Sequence, residues 1–117
     1  MDLKSKYPVE VLYDIVEKLY FEFRQHPDFY DKFFKDYNIA KIMKIQKETL
    51  AYLFGYTSNN PGVDLAAKHK HLNIKEEDWI KFVEITTKVL NDFKLPENEI
   101  GYILSQFSQF KDQVVVN

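Results

Sequence analysis

Each of the four prolines, Pro8, Pro27, Pro61 and Pro96, falls at an edge of a stretch whose apolar residues recur three and four positions apart. Proline lacks the N–H that a helix interior needs, so it is tolerated in a first turn or outside an end and disfavoured between them. Periodicity and proline placement together predict an all-α chain of helices joined by short breaks. From Pro8 onward Leu12, Val16, Leu19, Tyr20 and Phe23 form one stripe. It should end near His26-Pro27, because proline disfavours helical geometry in the residue before it. Asp28 to Asp36 is short and aromatic, enough for one or two turns. A third helix runs from Asn38, a cap, to Gly55, a stop, with Ile39, Ile42, Met43, Gln46, Leu50, Leu53 and Phe54 on its inner stripe. Asn59-Asn60-Pro61-Gly62 is a loop.

The second half holds a short helical stretch around His69, interrupted at Asn73, and then two long helices. Asn73 with Glu76 resembles a capping box opening a helix whose stripe is Trp79, Phe82, Val83, Thr86, Leu90 and Phe93. Thr86 is expected to pack its methyl and turn its hydroxyl to the helix backbone. Leu95-Pro96-Glu97 starts the last helix, with Ile100, Ile103, Leu104, Phe107 and Phe110 inside, fraying over Val114 to Asn117.

Composition narrows what such a chain can do. Its 117 residues suffice for one domain, 1–117, with a single core. Lys, Asp and Glu are interspersed to a net charge of −2, so no basic field is available for nucleic acid or anionic lipid. The absence of cysteine excludes disulfides, thiolate-ligated metal and covalent haem attachment. No apolar run reaches membrane-spanning length and the first residues do not form a signal peptide, so a cytoplasmic protein without membrane partners is expected. Ten Phe and eight Tyr are more bulky ring than packing alone requires, and the excess could line a pocket. A monomer or weak homodimer is the expected state.

Three polar residues break the stripes. Gln46 sits on an otherwise apolar face, where a buried amide costs a few kcal/mol unless it is bonded. Its partner is either another side chain or water, or a ligand that arrives only on binding. Tyr20 lies on the first inner stripe, either as a core tyrosine bonded to a carbonyl or as a donor to a ligand. His69 and His71 are two residues apart and so point about 200° away from each other on a helix. If His69 faces inward, Leu65 and Leu72 flank it and His71 faces outward. An isolated histidine is more often a surface or hydrogen-bonded residue, and the functional alternative is ligation of a haem iron, for which imidazole is a common axial ligand.

The run Phe33-Phe34-Lys35-Asp36-Tyr37-Asn38-Ile39-Ala40-Lys41, then Gln46-Lys47 and Leu50-Ala51-Tyr52-Leu53-Phe54-Gly55, resembles the double-phenylalanine, distal-helix and Phe-Gly segments of truncated haemoglobins, especially group I. The resemblance extends over roughly residues 9 to 115, through Gly62, the Ala-x-His-x-His-Leu-x-Ile pattern at 67 to 74, Trp79 and the turn at Leu95-Pro96-Glu97. It implies a 2-on-2 helical sandwich with a minimal or absent first helix, holding haem b. Within it His69 is the proximal iron ligand, Tyr20 and Gln46 stabilise the bound gas, and Phe34 stacks on the porphyrin. Ile42 takes the usual distal position. Ile45, Leu50, Leu72, Trp79 and Phe82 complete the cofactor pocket, and Lys68, with Lys41 and Lys44, is a candidate propionate partner.

Departures carry implications of their own. The Gly-Gly after the family's first helix is missing, and one extra residue near Pro27 separates Tyr20 from Phe33. Ile45 stands where some members place a histidine or lysine, which removes an endogenous sixth ligand and predicts a mainly five-coordinate ferrous state. Thr49 replaces a phenylalanine often found beside a gas tunnel. Donors set in advance in a dry pocket stabilise the negative charge that an oxygen ligand takes up. The expected function is therefore reversible binding of oxygen, nitric oxide or carbon monoxide. A nitric oxide dioxygenase, which needs a reductant, would use the same pocket, and a haem-free helical interaction module is the remaining alternative.

Overall fold

A computed structural model describes residues 1–115, with only the backbone for Leu65 and His71. All regular structure among these residues is helical: α1 (Val9–Arg24), α2 (Pro27–Phe33), α3 (Ile39–Leu53), α4 (Leu65–His69), α5 (Glu76–Asp92), α6 (Glu97–Ser108) and α7 (Lys111–Val114). A 3-10 turn, Leu3–Ser5, precedes α1, and another, Lys70–Leu72, follows α4. None of the described helices is long and apolar enough to cross a membrane. The chain divides into two compact units, Met1–Gly62 and Val63–Asn117.

In the first unit α1 packs on α2 and on α3. Pro8 precedes α1 in extended geometry, Pro27 opens α2, and Asn38 caps α3 by accepting a hydrogen bond from the Lys41 N–H at 3.2 Å. Val16, Leu19, Tyr20 and Phe23 are the buried face of α1. Burying each such side chain contributes on the order of 1.5–3 kcal/mol, and Leu3, Phe33, Leu50 and Ala51 complete the unit's core. An ion pair from Lys47 to Glu17 at 3.3 Å joins α3 to α1. Both groups keep contact with water, so the pair fixes register more than it stabilises.

The end of α3 shows why Gly55 is where it is. Gly55 has φ +83°, its N–H donates to the Tyr52 carbonyl at 3.1 Å, and the Tyr56 N–H reaches the Ala51 carbonyl at 2.8 Å. This Schellman arrangement needs a left-handed residue after the helix, which glycine adopts without steric cost. Tyr56 then points its hydroxyl to the carbonyls of Tyr7 at 2.9 Å and Leu3 at 3.4 Å, tying the amino-terminal turn to the unit.

In the second unit α5 packs on α6, and α4 packs on α7. Trp79, Ile85, Val89 and Leu90 from α5 meet a core completed by Leu95, Ile100 and Ile103. The α5–α6 corner repeats the Schellman pattern with a non-glycine residue: Lys94 has φ 61°, its N–H donates to Asn91, and the Leu95 N–H donates to Leu90 at 3.3 Å. The strain of a left-handed lysine is offset by burial of Leu95 beyond it.

Two expectations about α5 are corrected. Asn73 does not cap the helix. It is left-handed, φ 53°, and ends the 3-10 turn, while α5 starts at Glu76 with the Asp78 carboxylate accepting from the Lys75 N–H at 3.0 Å. Nor does Thr86 bond back to its helix. Thr49 and Thr87 do so, at 2.8 Å to Ile45 and 2.7 Å to Val83, whereas the Thr86 hydroxyl is buried with no hydrogen-bond partner among the described residues.

Candidate functional site

Tyr20 faces inward because it lies one residue after Leu19 and four after Val16 on the buried side of α1. Its ring is 7% exposed, held edge-on by Phe23 at 5.1 Å and by Phe34 at 5.5 Å. Phe23 in turn stacks on Phe34 at 5.2 Å with an interplanar angle of 13°. Two rings from two segments thus flank the phenol, and burial pushes its pKa well above the ordinary tyrosine value, keeping it protonated. No described residue accepts a hydrogen bond from the hydroxyl.

Ile42, Ile45 and Gln46 are spaced three and four apart on α3, so they share one face, with Leu50 a turn further on. Only Leu50 of these is buried; Ile42, Ile45 and Gln46 are half-buried, as are Ile39, Met43, Leu53 and Phe54. The full burial expected for the α3 stripe, Gln46 included, is therefore corrected to partial burial. A half-buried amide retains some solvation, which lowers the cost of its having no partner among the described residues. Phe34 follows α2 and is also half-buried.

In the second unit His69 is the last residue of α4 and half-buried. Asp64 starts the helix by accepting from the Ala67 N–H at 3.1 Å. Leu72, in the following 3-10 turn, is half-buried and Lys68 is exposed, as Lys41 and Lys44 are in the first unit. The orientations expected of Leu65 and His71 lie outside the described residues. Trp79 is buried with its ring 5.4 Å from Phe82, which lies 5.9 Å from Phe107. The structure thus brings together Tyr20 with Phe34, and Trp79 with Phe82, each pair within its own unit.

Phe23 was not singled out by the sequence as more than a stripe member, although it touches both Tyr20 and Phe34. Its position, three residues after Tyr20 on the same stripe, was the available signal. No group of three or more His, Cys, Asp or Glu side chains among the described residues could hold a bare metal ion. Haem iron asks less of a protein, since the porphyrin supplies four nitrogens and one imidazole suffices. The second unit offers one half-buried histidine, His69, and the first offers Tyr20 and Gln46 beside half-buried aliphatic and aromatic side chains, residue types compatible with that group. Comparison with protein families, with curated proteins and with solved structures finds no match.

Proposed function

We propose that this chain is a truncated-globin-like haem protein that reversibly binds oxygen or another diatomic gas, with His69 as the iron ligand. The observation that carries the proposal is Tyr20, a tyrosine on the buried face of α1 whose ring is held edge-on by Phe23 and Phe34. A phenol on an inward-facing aromatic stripe keeps a polar handle among apolar rings, and local rules of this kind are broken where a ligand is to be met. Gln46 supports it as a second side-chain donor, half-buried on the face of α3 that also bears Ile42 and Ile45.

Haem b, when bound, supplies an iron coordination position for the gas. Tyr20 and Gln46 donate hydrogen bonds to a ligand that gathers negative charge, and they do so without reorganising. Protonation of Tyr20 is secured by its burial, so it acts as a donor throughout the physiological pH range. Ile42, Ile45, Leu50 and Phe34 are apolar and carry no side-chain nitrogen, so they would offer no further ligand to a bound haem iron. Trp79 and Phe82 give the second unit an aromatic side of the same character.

Replacement of single histidines tests the ligand assignment. His69→Ala should lose or scramble the haem spectrum of the reconstituted protein, while His71→Ala should keep it. Equal effects, or the reverse order, would refute His69.

A further inference from the structure

We propose that the carboxy-terminal turn α7 is a latch on the histidine-bearing helix α4, closed by Lys111 and Glu76 as positioning residues; as regulation of the haem site, this rests on His69 being the iron ligand. Helix α4 has 5 residues, Leu65–His69. An isolated helix is marginal even at about 12–15 residues, so α4 persists only through what packs on it. Asp64 caps it, its side chain and carbonyl accepting from the Ala67 and Lys68 N–H groups, and Asn73 turns left-handed shortly beyond it. Besides the 3-10 turn that follows it, α4 packs against α7.

Helix α7, with 4 residues, is as short and must itself be held. The Lys111 ammonium lies 2.6 Å from the Glu76 carboxylate, and the Val115 N–H closes the turn on the Lys111 carbonyl at 2.8 Å. Glu76 opens α5, a helix of 17 residues anchored by Trp79, Ile85, Val89 and Leu90. Support therefore passes from α5 through the Glu76–Lys111 pair to α7, and from α7 to α4 and His69. The two side chains are 60% and 34% exposed, so salt screens their attraction. The firmness with which His69 is presented then depends on ionic strength.

The test is amide hydrogen exchange over residues 65–69 in the full, haem-free chain, for the parent, Lys111→Gln, Glu76→Gln and the double variant. Each single substitution should speed exchange in α4 by about two- to fivefold, the range of an exposed ion pair. The double variant should exchange no faster than either single one, because both remove the same interaction. The parent in 1 M salt should match them. Unchanged α4 exchange in the single variants, or effects that multiply in the double, would overturn the latch. In haem-loaded protein the iron–histidine stretching frequency should shift in the single variants. A faster α4 with an unmoved frequency would overturn the link to His69. Failure of the chain to take up haem would sink the function proposed above while the exchange data still decide the latch.

Discussion

Replacing Tyr20 by Phe separates a structural tyrosine from a ligand-binding one, because the two roles predict opposite patterns in stability and kinetics. A core hydroxyl bonded within the protein contributes about 0.5–1.5 kcal/mol, which its removal would forfeit. The Tyr20 hydroxyl bonds to no described residue, and its ring contacts with Phe23 and Phe34 survive in phenylalanine. The haem-free Tyr20→Phe protein should therefore lie within about 0.5 kcal/mol of the parent in urea unfolding, or above it. A hydrogen bond to a charged acceptor is worth roughly 1.5–3 kcal/mol, and each 1.4 kcal/mol is tenfold, so oxygen dissociation from the haem-loaded protein should accelerate about ten- to a hundredfold. Carbon monoxide gathers little negative charge and should respond less. Stopped-flow displacement measures both gases. Loss of more than about 1 kcal/mol of stability together with equal, small changes for the two gases would refute the reasoning and return Tyr20 to the core.

Tyr20 also predicts an alkaline limit. Its folded pKa is raised above the unfolded value of about 10, so its contribution is intact below that pH. As pH rises further, the unfolded state ionises first and stability falls by up to about 1.4 kcal/mol per unit for this group. Tyr20→Phe should show a shallower loss than the parent between pH 10 and 11.5, measured by urea midpoints; parallel curves would contradict the burial of the phenol. Thr86→Val should raise stability by about 1 kcal/mol, since it removes a hydroxyl that is 2% exposed and unpartnered. A loss on calorimetry would instead reveal a hydrogen bond made by that hydroxyl. Tyr56→Phe should cost about 1 kcal/mol in the same assay, because it deletes the hydroxyl bonded to Tyr7 and Leu3. No change there would mean that the amino-terminal turn is held by Leu3 packing alone.

The helix edges were legible because their causes are local. Proline geometry at Pro8 and Pro27, the Asn38 side chain and the left-handed Gly55 act within one turn of where they stand. Asn73 misled because its side chain suits a cap and its backbone suits a left-handed stop, and only the path of the chain chooses between them. Lys94 gave no warning, since nothing in lysine favours positive φ; the burial of Leu95 beyond it imposes the turn. The same division runs through the candidate site. The anomaly at Gln46 was visible as a polar residue on an apolar stripe, and Tyr20 as a stripe member. Which hydroxyls lack partners was not, because Thr49, Thr86 and Thr87 look alike in sequence and only packing decides which can reach a carbonyl. The packing of α4 on α7 was likewise hidden, since it joins two stretches too short to show a period.

The central claim, that the chain holds haem through one histidine, is tested most directly by titrating haem into the purified haem-free protein and recording the absorption spectrum. One equivalent should saturate an intense Soret band, and reduction should give a high-spin, five-coordinate ferrous spectrum that carbon monoxide converts to a single low-spin form. A chain that develops no Soret band beyond that of free haem, at any ratio, would contradict the account.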